Sequence, residues 1–188
     1  FLSDQLAVKV WAAEHSLFAK QDRLIWSALV AAENGDSDGV IDSLVSLGAF
    51  INQTSLCLQL QVGPTSVALT GDLSAATWAQ FAMLPCSIIK LPHHGHKDSL
   101  STDLIERLCP RYAVISVSHD RKDNRPHTSI LALLKDHGVA TLFTDAVDRP
   151  GFLRHRHQAV RFYLTEKGID GVYFVTGHNQ IELVFNEG

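Results

Sequence analysis

Residues 90 to 99, KLPHHGHKDS, concentrate side chains that can bind a metal ion or a phosphate group. His93, His94 and His96 lie within four positions, although the whole chain has 10 histidines. Imidazole nitrogens are common ligands of Zn²⁺ and similar ions, and Lys97 and Ser99 supply a cation and a hydroxyl group for phosphate oxygens. A histidine pair in a loop is about as often a solvated feature as a site. The question is therefore which other groups the surrounding elements place beside this loop.

Short apolar runs alternate with helical patterns through the middle of the chain. We predict strands at 66–70, 86–91, 111–117 and 139–143, and helices at 74–84, 101–108 and 127–138. This alternation is typical of βαβ units, whose parallel strands end at one edge of a sheet, where ligands bind. The loops expected at that edge carry a set of polar residues: Asp72, His93, His94, His96, Lys97, His119, Asp120, His127 and Asp145.

Five stretches together resemble a known family. They are NQTSLCLQL, VALTGDL, KLPHHGHKDS, RYAVISVS and NRPHTSILALL, in that order, between Asn52 and about Asp145. In order and spacing they are similar to the C-terminal half of metallo-β-lactamase-fold hydrolases, in particular the subgroup found in ComEC-type DNA-uptake proteins. The resemblance covers about half of the chain. It implies an α/β fold, a metallo-β-lactamase-like αββα sandwich, to which this chain contributes mainly the second βα half.

The resemblance also implies roles for individual residues. Asp72 matches the aspartate that bridges two divalent metal ions, Zn or Mn, and His93 matches a terminal metal ligand. Four residues match positions that contact a phosphate or the leaving group: His94, Lys97, Ser99 and His127. His96 and His119 are weaker candidates for the site. The chain departs from the family pattern in two places, because His96 replaces a serine and Thr128 replaces a proline.

The H-x-H-x-D-H motif, which supplies most metal ligands in these hydrolases, does not occur in this sequence. The resemblance nevertheless implies a metal-dependent hydrolase, a phosphodiesterase or nuclease acting through a metal-activated water. The rest of its site would come from an N-terminal half of the fold in the same gene or on a separate chain. This chain alone would then be inactive. The alternative is a non-catalytic subunit that keeps the fold for assembly or regulation.

Composition limits the other possibilities. A net charge of −4 gives no global basic field that attracts nucleic acid, so contact with a nucleic-acid substrate would be local. The longest apolar stretch, residues 24–32, is too short to cross a bilayer. Cys57, Cys86 and Cys109 lack metal-type spacing and indicate reduced thiols, which favours a cytoplasmic protein and leaves secretion as the alternative. The sequence leaves open whether the chain forms an oligomer.

A length of 188 residues predicts a single domain, residues 1–188, with three parts. Residues 1–51 contain an entry strand at 5–11 and an irregular or helical insert, residues 52–145 form the motif-bearing core, and residues 146–188 form C-terminal strands, antiparallel and at a sheet edge. Residues 34–42, NGDSDGVID, indicate a loop by composition. They imitate the start of a calcium loop, but Val45 stands where a bidentate glutamate is needed, which favours a plain turn.

Overall fold

The main sheet has six strands in chain order. The computed structural model describes residues 6–117, 126–145, 147–152, 159–176 and 181–186. The strands are β1 (Leu6–Trp11), β2 (Cys57–Val62), β3 (Thr65–Leu69), β4 (Ile88–Lys90), β5 (Tyr112–Ile115) and β6 (Ala140–Phe143). β1, β2 and β3 pair antiparallel, whereas β3 to β6 pair parallel. The parallel half of the sheet was predicted from the sequence, and its strands place their carboxyl ends at one edge.

Helices α3 (Ala75–Trp78), α4 (Thr102–Leu108) and α5 (Thr128–Asp136) follow the parallel strands. Buried side chains of α4 and α5 pack with buried residues of the sheet in one apolar cluster. Ser101 caps α4 by accepting a hydrogen bond from the Leu104 amide, and Gly138 follows α5 with a positive φ of 68°. The helix predicted at 74–84 was too long. It ends at the fully buried Trp78, whose indole N–H donates to the Ser99 carbonyl, and the Gln80 and Phe81 amides then bond only three residues back as the chain turns toward Pro85.

The C-terminal strands form a second sheet. β7 (Ala159–Thr165), β8 (Gly168–Val175) and β9 (Ile181–Asn186) pair antiparallel in that order. Val172 and Phe174 of β8 are fully buried against Ile88, Tyr112 and Leu142 of the main sheet. The predicted strands and their antiparallel pairing are confirmed, but they form a sheet of their own and do not lie at the edge of the main sheet. Parallel strands are apolar on both faces, so the face opposite the helices needs a cover, which this second sheet provides.

Two helices between β1 and β2 form a hairpin. α1 spans His15–Glu33 and α2 spans Ser37–Phe50, and the two helices pack against each other. The loop predicted at 34–42 is only a short turn, because the Asp36 carboxylate caps α2 by accepting a hydrogen bond from the Gly39 amide at 3.0 Å. The Lys20 ammonium lies 4.6 Å from the centre of the Phe50 ring, which joins the two helices.

The molecule is thus a mixed α/β protein in which helices, a six-stranded sheet and a smaller sheet are layered, as in an α/β sandwich. None of the described helices is both long and apolar enough to cross a membrane. The division of the chain into the three predicted parts stays a prediction.

Candidate metal site at the carboxyl edge of the sheet

The histidine loop follows β4 in an unusual backbone conformation. Residues Pro92–Gly95 form a single 3-10 turn, in which His93, His94 and Gly95 all have positive φ, at 49°, 56° and 73°. The left-handed conformation costs a side-chain-bearing residue about 1–2 kcal/mol, so surrounding contacts must hold the turn in place. The His93 amide donates to the Gly71 carbonyl at 3.3 Å, and the Gly95 carbonyl accepts from the His127 amide at 2.8 Å. These bonds join three loops of the predicted edge.

Gly95 is required for this junction. A Cβ atom added there would lie 2.8 Å from the Pro126 Cβ, which is too close for two carbon atoms. The glycine of the motif therefore permits both the left-handed turn and the approach of the segment that begins α5.

Three side chains at this edge could together hold a metal ion. His93, His96 and Asp98 each offer one ligand atom, and these atoms lie within 4.8 Å of one another. The rings of His93 and His96 have centroids 4.9 Å apart, and the Asp98 carboxylate contacts Nδ1 of His96. Among the described residues, these three form the group of His, Cys, Asp or Glu side chains whose ligand atoms are this close together. Two imidazoles and one carboxylate fit an ion such as Zn²⁺, although the identity and number of ions do not follow from this group.

Asp72 is at the same edge but has different neighbours. Its carboxylate Oδ1 lies 3.8 Å from the Lys90 ammonium, and its amide donates to the Ser55 hydroxyl at 3.3 Å. The Lys90 ammonium also donates to the Gly71 carbonyl at 3.1 Å. Burial lowers the pKa of Lys90, and the nearby Asp72 charge partly offsets that effect. A metal ion bound by Asp72 would therefore lie close to the Lys90 ammonium group.

Asn52 contacts the predicted ligand His93. Its side-chain Nδ2 lies 3.3 Å from Nε2 of His93. Asn52 comes from the 3-10 turn Ile51–Thr54, which immediately precedes β2. Hydrogen bonding at one ring nitrogen fixes the orientation of an imidazole, and ligating histidines are usually held in this way.

The residues predicted to contact substrate are in varied environments. His94 is half-buried and its Nδ1 lies 2.6 Å from the Ser116 carbonyl, whereas Lys97 is exposed. Ser99 is fully buried, and its hydroxyl has no hydrogen-bond partner among the described residues. In this conformation Ser99 faces no solvent, so its predicted phosphate contact would need a local rearrangement.

His127 and Asp145 complete the predicted edge, while His119 and Asp120 lie outside the described residues. His127 is the N-cap residue of α5, and its Nδ1 accepts from the Ser129 amide at 3.3 Å. Asp145 is buried and forms two short contacts with Arg149, at 2.6 and 2.9 Å. Asp145 was expected among the edge groups, but its carboxylate is engaged in this ion pair.

Sequence reasoning missed Asp98, Lys90 and Asn52 as neighbours of the predicted ligands. Asp98 had a local signal, because a carboxylate two residues after His96 in the same loop is within reach of its ring. Lys90 and Asn52 begin two of the stretches that carry the resemblance, but their contacts with Asp72 and His93 depend on how separate segments pack.

A cavity of about 550 Å³ opens at the opposite edge of the parallel strands, away from the histidine loop. Its lining includes Ser66, Cys86, Cys109, Arg111 and Lys167 and none of the predicted site residues.

The fold and the edge group define an α/β protein that carries a candidate histidine–aspartate metal site. No family model matches the chain. The chain is similar to ComE operon protein 3 of Bacillus subtilis (strain 168), with 32% identity over 111 residues. The match covers 57% of this chain and 14% of the relative, so the chain spans a small part of the length of that protein. The similarity supports a relation to the ComE proteins, while the metallo-β-lactamase assignment stays a prediction.

Proposed function

We propose that this chain is one part of a metal-dependent hydrolase that cleaves phosphodiesters. The observation that carries this proposal is the junction at Gly71. Its carbonyl accepts hydrogen bonds from the His93 amide and the Lys90 ammonium, and Asp72 follows directly. Two motifs about 20 residues apart in the chain, T-G-D and P-H-H-G, thus meet at the edge where ligands of parallel sheets bind.

Asp72 and His93 are the ligands that this chain would contribute to a pair of divalent ions, Zn or Mn. Such ions, when bound, supply an activated water and stabilise charge on phosphate oxygens. The remaining ligands would come from an N-terminal half of the fold, in the same gene or on a partner chain. A match to only 14% of a longer relative is compatible with a site assembled from more than one segment.

The substrate contacts proposed for this chain surround the same edge. Lys97 is exposed and offers a mobile ammonium for a phosphate oxygen. His127 stands at the start of the nine-residue α5, where the helix dipole favours an anion. Nδ1 of His127 is engaged with Ser129, so Nε2 would be the nitrogen that donates a proton to a leaving oxygen. The overall charge of −4 makes a nucleic-acid substrate dependent on these local contacts.

A non-catalytic subunit remains the second candidate. It is favoured because two residues predicted to contact substrate are not available in this conformation. His94 contacts the Ser116 carbonyl, and Ser99 is buried. In that case this edge of the sheet would serve assembly and not catalysis. For both candidate functions we predict a cytoplasmic location.

Replacing His127 separates the two candidates. In the complete protein with its partner half, we expect His127→Ala to lower kcat for a model phosphodiester by about 10²–10⁴-fold, because a general acid typically contributes that much. Bound metal, measured by elemental analysis, should stay at the wild-type level. His137→Ala, at the other end of α5, is the matched control and should leave turnover unchanged.

Turnover of the His127→Ala variant within a few-fold of wild type would reduce His127 to a helix cap. Loss of metal in step with activity would instead make it a ligand. A complete wild-type protein without any phosphodiesterase activity would favour the non-catalytic subunit.

A further inference from the structure

We infer that His93, His96 and Asp98 form a zinc site that this chain builds by itself, without Asp72 and without a partner half. The site shares His93 with the proposed hydrolase, but the inference goes beyond the proposed function and does not depend on it. It adds two ligands that the family resemblance does not supply, since His96 stands where a serine is usual.

The ligand atoms are already near the required geometry. They lie within 4.8 Å of one another, whereas tetrahedral zinc with bonds of about 2.1 Å places its ligands roughly 3.4 Å apart. Nδ1 of His96 and the Asp98 carboxylate are now in contact, so rotations of these two side chains would set the distances around an ion. His96 is half-buried and Asp98 is exposed, so neither side chain is locked into a packed core.

Three protein ligands are a sufficient set. Zinc sites with an open position use three protein ligands and leave the fourth to water or substrate. Imidazoles favour zinc over manganese, because affinity for nitrogen ligands rises from Mn²⁺ toward Zn²⁺. The proposed site therefore predicts tighter binding of Zn²⁺ than of Mn²⁺.

The backbone supports the same grouping. The left-handed residues His93 and His94 turn the chain sharply after β4, and the amide of Ser99 donates to the His96 carbonyl at 2.9 Å. The Asp98 carbonyl is anchored by the Ala75 amide at 2.6 Å. These bonds hold residues 93–98 as a compact turn, which limits the entropy lost when the three side chains close on an ion.

Asn52 is the positioning residue of this site. It lies against Nε2 of His93, and a ligating histidine is commonly oriented by a hydrogen bond at its other ring nitrogen. In the present orientation Nδ2 of Asn52 faces the ring; an amide turned by 180° would accept from Nε2–H and leave Nδ1 as the metal ligand.

The test is a titration of Zn²⁺ into the metal-free 188-residue chain by calorimetry, with Co²⁺ absorption as a second report of ligand geometry. We expect one ion per chain. His96→Ser and Asp98→Asn should each weaken binding by at least about tenfold. The controls His137→Ser and Asp103→Asn change the same residue types elsewhere and should stay within about twofold of wild type.

Absence of zinc binding by the folded wild-type chain would overturn the inference. So would loss of binding in Asp72→Asn together with retention in His96→Ser, because the ion would then belong to the Asp72 site. If His96→Ser fails to fold by circular dichroism, His96→Gln takes its place. Zinc binding as expected, combined with a complete protein that does not hydrolyse phosphodiesters, would leave this site standing and remove the proposed function.

Discussion

At the scale of single residues, two of the three cysteines are held as thiols by burial. Cys57 is fully buried and Cys86 nearly so, and burial raises the pKa of each to about 12. The neighbouring Cys109 adds a smaller effect at Cys86. Cys109 itself is exposed, and its thiol donates to the Glu106 carbonyl at 2.8 Å. The cysteines therefore differ in reactivity although the sequence presents them as equivalent.

Alkylation should distinguish these thiols. At pH 8 a group with a pKa of about 12 is thiolate in only about one molecule in 10⁴, and the thiolate is the reactive form. We expect iodoacetamide to modify Cys109 in the native chain and all three cysteines in denaturant, as measured by mass spectrometry. Cys109→Ser should then show almost no labelling when folded. Rapid labelling of Cys86 in the native wild type would contradict this burial.

At the scale of secondary structure, the cap of α2 converts an apparent loop into a helix. Residues 34–42 are rich in glycine and aspartate, yet Asp36 accepts from the Gly39 amide and the helix begins at Ser37. The close approach depends on Gly39, because a Cβ there would lie 2.3 Å from the Asp36 carboxylate. A segment whose composition resembles a calcium loop thus forms the start of a helix.

Removing the cap should loosen α2. Asp36→Ala leaves the Gly39 amide without its acceptor, and losing an N-cap costs about 1 kcal/mol. A loss of about 1 kcal/mol raises the equilibrium constant for local opening of the helix roughly fivefold. We therefore expect the amides of α2 that exchange through local opening to exchange with deuterium roughly fivefold faster. Asp42→Ala, an exposed change within the same helix, should not accelerate exchange. Equal exchange in both variants would show that the cap contributes nothing.

At the scale of the whole molecule, the layers bury their apolar faces unequally. The faces between helices and sheets are well packed, but α1 has no buried residue, and Trp26 and Val45 on the hairpin are 67% and 68% exposed. Val8 and Val10 on β1 are also exposed. Exposed apolar side chains favour association where they lie side by side. The expected partner half would provide one such contact.

The isolated chain should therefore associate with itself. We expect light scattering after size-exclusion chromatography to give a mass that rises with protein concentration. Trp26→Ser combined with Val45→Ser should shift the chain toward monomer, because both changes remove exposed apolar area from the hairpin. Leu84→Ser, at an exposed leucine on another segment, is the control and should change little. A stable wild-type monomer at all concentrations would contradict this expectation.

Features that depend on neighbouring residues could be predicted from the amino-acid sequence. The alternation of strands and helices from Thr65 to Phe143 predicted the parallel part of the sheet, and the caps at Ser101 and Gly138 predicted where helices start and stop. Because parallel strands share an edge, the same reasoning predicted that the histidine loop and the Asp72 loop would meet. Hydrophobic periodicity and capping are local, so one chain segment is enough to reveal them.

Contacts between segments that are far apart in the chain could not be predicted, because they depend on how the layers pack. The C-terminal strands could have extended the main sheet, but burial of Val172 and Phe174 places them on its face instead. Lys90 lies beside Asp72, and Asn52 contacts His93, although each pair is far apart in the chain. Each outcome depends on the packing of whole layers, which selects among many pairings that the local sequence allows equally.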